Sequence, residues 1–99
     1  DVRFLDNPYY KTELRSKTGL DNDVADYVFS QSEAEDVIKN ISNSMGQWIP
    51  LHSTAGKTSL TIAIGCTGGQ HRSVAITEEL SKILSIKFSS VTAIHRDIK

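Results

Sequence analysis

Between residues 64 and 74 the chain reads IGCTGGQHRSV. This string sets a thiol (Cys66), an imidazole (His71), a guanidinium (Arg72) and two hydroxyls (Thr67, Ser73) around a pair of glycines. Three chemistries suit that set. Cys66 and Arg72 stand at C-x5-R spacing followed by Ser73, the arrangement in which a cysteine thiolate attacks phosphorus. Helix N-terminal amides and a nearby arginine would lower the thiol pKa and activate such a nucleophile. Against it, Gly65 stands where tyrosine phosphatases carry histidine, and only folding could bring Asp26 or Asp97 near as a general acid. The second chemistry asks nothing of Cys66. Backbone amides freed by Gly68 and Gly69, the planar fork of Arg72 and the hydroxyls of Thr67 and Ser73 make a seat for an oxyanion that binds without reacting. The third is a bare glycine turn with an inert cysteine. Such a turn needs the glycines but not His, Arg, Thr and Ser together, and loops that gather several polar groups tend to be functional.

Positioning that loop requires a strand before it and a helix after it. SLTIAIG (59–65) is short, apolar and rich in β-branched residues, which predicts a strand buried on both faces of a sheet. Val74, Ile76, Leu80, Ile83 and Leu84 have helical spacing and predict a helix starting near His71. The four unpaired N–H groups and partial positive charge of its first turn would then face the loop.

Upstream, VRFL (2–5) reads as a strand and Asn7-Pro8 as a turn. Residues 16–23 read as a loop whose aspartate caps a helix carrying Val24, Tyr27 and Val28. SEAE (32–35) matches a capping box. After it Ala34, Val37, Ile38, Ile41, Met45, Trp48 and Ile49 form one apolar helix face, assigned to the core, with Pro50 marking its end or a kink. SVTAIHRDI (90–98) predicts a last strand. The order β-α-α-β-α-β predicts an α/β layered domain with a small, mainly parallel sheet flanked by helices.

A parallel sheet would bring a second His-Arg pair, His95 and Arg96, to the edge that holds His71 and Arg72, with Arg3 approaching from the first strand. A ligand of such a sheet lies at the carboxyl ends of its strands. AGKTS (55–59) imitates the end of a P-loop, but Leu51 stands where the first glycine belongs, and a helix precedes the motif instead of following it. Gly56 is better read as a helix C-terminal cap.

The totals narrow the classes. The chain has 99 residues, the size of one domain, and a net charge of −1, which gives nucleic-acid binding no support. Residues 1–56 carry 5 Lys/Arg and 9 Asp/Glu, whereas residues 57–99 carry 6 and 3, so the half that holds the loop attracts anions. No stretch approaches the ~18 apolar residues of a membrane span. One cysteine excludes an internal disulfide and fits a reducing cytoplasm.

DVRFLDNPYY, ELRSKTGLD and LTIAIGCTGGQHRSV together resemble the C-terminal domain of the RapZ/YvcJ family, nucleotide-binding proteins some of which are RNase adapters. The resemblance spans Asp1 to about Asp97. It implies an α/β fold similar to part of phosphofructokinase, and an N-terminal P-loop ATPase/GTPase domain in the whole protein. It implies a sensor domain without catalysis or cofactor, for glucosamine-6-phosphate or, in other members, for UDP-N-acetylglucosamine. Matching positions place Thr67, Gly68, His71 and Arg72 at the sugar phosphate and implicate Asp1. RNA, a protein partner and further copies of the chain are the other partners it implies, with no membrane. The lysine- and arginine-rich tail of the RNA-adapter branch has no counterpart in Arg96-Asp97-Ile98-Lys99, which weighs against RNA.

Overall fold

The computed structural model describes residues 1–98. Its elements are a 3₁₀ turn at Pro8–Tyr10 and three helices, α1 (Asn22–Phe29), α2 (Ser32–Thr54) and α3 (Arg72–Lys87). The predicted α/β layered sheet is therefore corrected: among the described residues there is no strand, and the fold is all-helical.

The physical reason lies in hydrogen bonding. Residues 59–65 form no regular element, but burial alternates as in an extended chain: Ile62, Ile64 and Cys66 are half-buried and Thr61, Ala63 and Gly65 exposed. Alternation shows one covered face, not the two that were expected, and it carries no information about a neighbouring strand. Among the described residues the one backbone hydrogen bond from this run accepts Val2 N–H at Gly65 O, 2.8 Å. VRFL is a turn closed by Leu5 N–H to Val2 O, 3.1 Å, and so offers no ladder. Residues 91–95 repeat the pattern, with Val91, Ala93 and His95 half-buried and Thr92 and Ile94 exposed.

The helices form where the spacing puts them. Val24 and Val28 of α1, Ala34 and Ile38 of α2, and Val74, Ile76, Leu80 and Leu84 of α3 are buried, and Val2 and Leu5 close the core from the N-terminal turn. Helix starts differ from expectation. Ser32 is the first residue of α2 and the cap position falls to Gln31, so no capping box forms. The Gln31 side chain instead accepts the Asp6 N–H at 2.7 Å, tying the N-terminal turn to the α1–α2 joint. Asp21 does occupy the cap position of α1, but its carboxylate accepts Thr18 N–H behind the helix.

Helix α2 continues through Pro50 to Thr54. A helix of 23 residues is ~35 Å long and outruns the core, whose buried α2 residues end at Ser42. Trp48, assigned to the core from its spacing, is therefore 54% exposed and stacks on His52, while Met45 keeps partial contact with the core. Gly56 (φ 84°) ends the helix in a Schellman motif, with Lys57 N–H bound to His52 O and Gly56 N–H to Ser53 O. That conformation explains the glycine of AGKTS without any nucleotide.

Candidate functional site

The site is built where the N-terminal turn meets the start of α3. Gly68 (φ 80°) and Gly69 (φ 67°) both take the left-handed conformation, which turns the chain out of the extended run and into the helix. His71 is the cap residue of α3 and Arg72 its first helical residue. A third glycine braces the joint from outside. Gly19 donates its N–H to Gln70 O at 2.8 Å and lies directly against the backbone of His71 and Ala75.

Arg72 is 4% exposed, unusual for a lone guanidinium. Its Nη1 donates to Arg3 O and to Leu5 O, both at 2.9 Å, so the cation holds the N-terminal turn against α3. Among the described residues its Nε is buried without a partner, as is His71 Nε2. Arg72 also lines a cleft of ≈ 550 Å³ with Arg3, Asp6, Asn7, Tyr10, Tyr27 and Thr67. That volume falls in the range of small-molecule sites, ~300–1,000 Å³. Arg3 stands at this cleft in a bidentate pair with Asp1 (Nη2–Oδ2 2.6 Å), which fully engages the Asp1 carboxylate. The cleft thus joins a deep cation, a surface cation, an exposed hydroxyl and an aromatic wall. A larger cleft of ≈ 750 Å³ between the end of α2, α3 and the two extended runs contains none of residues 65–73 and is floored by Ile62, Ile64, Leu80 and Leu84.

Cys66 sits beside the cleft, half-buried. Its sulfur lies 3.2 Å from Ser73 Oγ and accepts Ser73 N–H at 3.3 Å. Burial is the largest single influence and pushes the thiol up. The Ser73 hydroxyl, the amides of Ser73 and Gly69 and the Arg72 charge together outweigh it, so the pKa lies below the ordinary cysteine value. The sign of the linkage follows. A depressed pKa means that the folded state loses its proton first, so stability rises with pH from the folded pKa up to the unfolded one and is lost again as pH falls. The urea midpoint of the wild type relative to Cys66→Ser is accordingly expected to increase from neutral to alkaline pH. Iodoacetamide should reach half-maximal reaction with folded Cys66 at lower pH than with the unfolded chain.

The fold brings together Thr67, Arg72 and Arg3 at the cleft, with Gly68, Gly69, His71 and Ser73 in the adjoining loop and first turn. It does not bring His95 or Arg96 there. His95 Nε2 pairs with Glu78 Oε2 of α3 at 3.1 Å, and Arg96 is exposed beside Asp97. Without a sheet, no common strand edge gathers the two His-Arg pairs. Asp97 does reach the loop, because a Cβ built on Gly69 would fall 2.3 Å from its Oδ2. Asp6, Asn7 and Tyr27 escaped the sequence reading as site residues. They come from segments distant in sequence, and no local motif marks them.

Comparisons with known proteins agree with the resemblance read from the sequence. The family model of the RapZ C-terminal domain matches residues 1–99. Two proteins named nucleotide-binding protein in strains of Pseudomonas fluorescens are 46% and 45% identical over 98 residues, and one so named in Cutibacterium acnes is 48% identical. Each alignment covers 99% of this chain and 34% of the relative, so the chain spans about a third of their length.

Proposed function

The chain belongs to the RapZ C-terminal domain family, and on that premise we propose that it is a non-enzymatic sensor for a phosphorylated amino sugar or a sugar nucleotide. The observation that carries this reading is Arg72: it is anchored through Nη1 by two backbone carbonyls, it lines the cleft beside the α3 N-terminus, and its buried Nε has no partner among the described residues. A buried donor without an acceptor is costly and is relieved by an acceptor that enters with the ligand. The phosphate would take that donor, the Thr67 hydroxyl, Arg3 and the helix-start amides around Gly68, Gly69 and His71. The sugar would lie against Tyr10 and Tyr27.

No step in this scheme requires covalent chemistry at Cys66. Nη1 of Arg72 is committed to the carbonyls of the N-terminal turn, which favours holding an anion over chemistry on it. Because the cleft joins the N-terminal turn to α3, occupancy would stiffen that joint. It would thereby alter how the domain meets a neighbouring domain, another copy or a partner protein.

Calorimetric titration with glucosamine-6-phosphate is expected to give saturable heat. Thr67→Val, which removes one exposed hydroxyl, should weaken binding by about tenfold without moving the melting point. No heat with glucosamine-6-phosphate, other hexose phosphates or UDP-N-acetylglucosamine overturns the proposal. Turnover of an aryl phosphate that disappears in Cys66→Ser would put a phosphatase in its place.

A further inference from the structure

We propose that Asp6 determines which ligand the cleft accepts: its carboxylate receives the ammonium group of the amino sugar while Arg72 and Thr67 hold the phosphate. This rests on the sugar-phosphate reading above. Asp6 is the one acidic residue lining the cleft that holds Arg72, Arg3 and Thr67. Its backbone is fixed on both sides. Gln31 Oε1 takes its N–H at 2.7 Å, and the preceding carbonyl, Leu5 O, is bound by Arg72 Nη1 at 2.9 Å.

Its carboxylate has no hydrogen-bond or ion-pair partner among the described residues. Among the described residues the ion pairs are Arg3–Asp1, Lys17–Asp23, His95–Glu78 and Arg96–Asp97, and none uses Asp6. Asp1, the partner of the cleft residue Arg3, has both carboxylate oxygens bonded to that guanidinium. A carboxylate only accepts hydrogen bonds. Beside an anion seat it repels a ligand that is purely anionic and favours one that presents a positive donor at its other end. A phosphorylated amino sugar has both features, whereas a plain hexose phosphate lacks the second.

The test compares glucosamine-6-phosphate, N-acetylglucosamine-6-phosphate and glucose-6-phosphate by calorimetry on the wild type, Asp6→Asn, Asp6→Glu and Asp97→Asn. The wild type is expected to prefer the free amine by about tenfold over the other two. Asp6→Asn removes that preference, weakening glucosamine-6-phosphate and relieving the repulsion of the two ligands without a charged amine; Asp6→Glu retains most of it. Asp97→Asn removes a carboxylate that rests on Gly69, outside the cleft lining, and leaves the preference intact. Asp6 is exposed and its N–H bond to Gln31 survives in every variant, so unchanged melting points accompany these shifts. Equal affinities in the wild type, or a preference that survives Asp6→Asn, overturn the role of Asp6 while leaving the sugar-phosphate site standing. Failure of all three ligands on the wild type overturns both.

Discussion

Replacing Gly19 with alanine is expected to destabilise the domain by ~3 kcal/mol or more, the upper range for forcing atoms into a packed interior. The new Cβ would stand 2.4 Å from Ala75 N, 2.5 Å from His71 O and 2.8 Å from Val74 Cβ. Two of these are backbone atoms of the first turn of α3, which cannot swing aside as a flexible side chain can. Relief requires the loop at 16–21 to withdraw, which breaks the Gly19 N–H bond to Gln70 O, or requires α3 to shift its start. A domain of this size has roughly 5–15 kcal/mol of total stability, so the loss is a large share of it. The melting point should fall by ~12 °C or more. Gly46→Ala supplies the contrast. Gly46 lies within α2 with nothing within 4 Å of the added carbon, so alanine there should stabilise by about 0.5–1 kcal/mol. Thermal melts of the two variants check the pair. A Gly19→Ala protein that melts with the wild type would mean that this loop does not brace the α3 start.

Arg72→Ala should act on stability and binding together. It removes two hydrogen bonds from a charged donor, each worth about 1.5–3 kcal/mol, and strips the Arg3 and Leu5 carbonyls of their shared partner. A loss of roughly 3–5 kcal/mol is expected, read as a lower urea midpoint. Arg72→Lys should recover only part, since one ammonium lacks the planar fork and the separate Nε donor. At a temperature where both variants remain folded, each should bind glucosamine-6-phosphate about tenfold to a hundredfold more weakly than wild type. Thr67→Val, which leaves the Arg72 anchor untouched, separates lost binding from lost folding.

The helices and the loop were legible because their signals are local. Apolar residues at three- and four-residue steps placed the buried faces of α1, α2 and α3, and glycines at 68 and 69 marked the turn that their left-handed backbones require. The sheet was misread because β-branched alternation reports an extended chain with one covered face, and says nothing of whether a partner strand exists. Trp48 was misread because its periodicity continues past the point where the core ends. The capping box failed because its cap position falls one residue earlier, on Gln31. Arg72 was found by type and position, but not its anchoring by carbonyls more than sixty residues away in sequence. Asp6 and Gly19 are features of tertiary contact alone.

The central claim is that Arg72 keeps one buried donor in reserve for an anion. The side-chain Nε–H resonance of Arg72, assigned by its disappearance in Arg72→Lys, reports on that donor directly. Titration with glucosamine-6-phosphate should move its proton shift progressively downfield to saturation, with the same midpoint as the calorimetric isotherm. A resonance that stays in place while calorimetry records saturable binding would show that the anion sits elsewhere and would contradict the account.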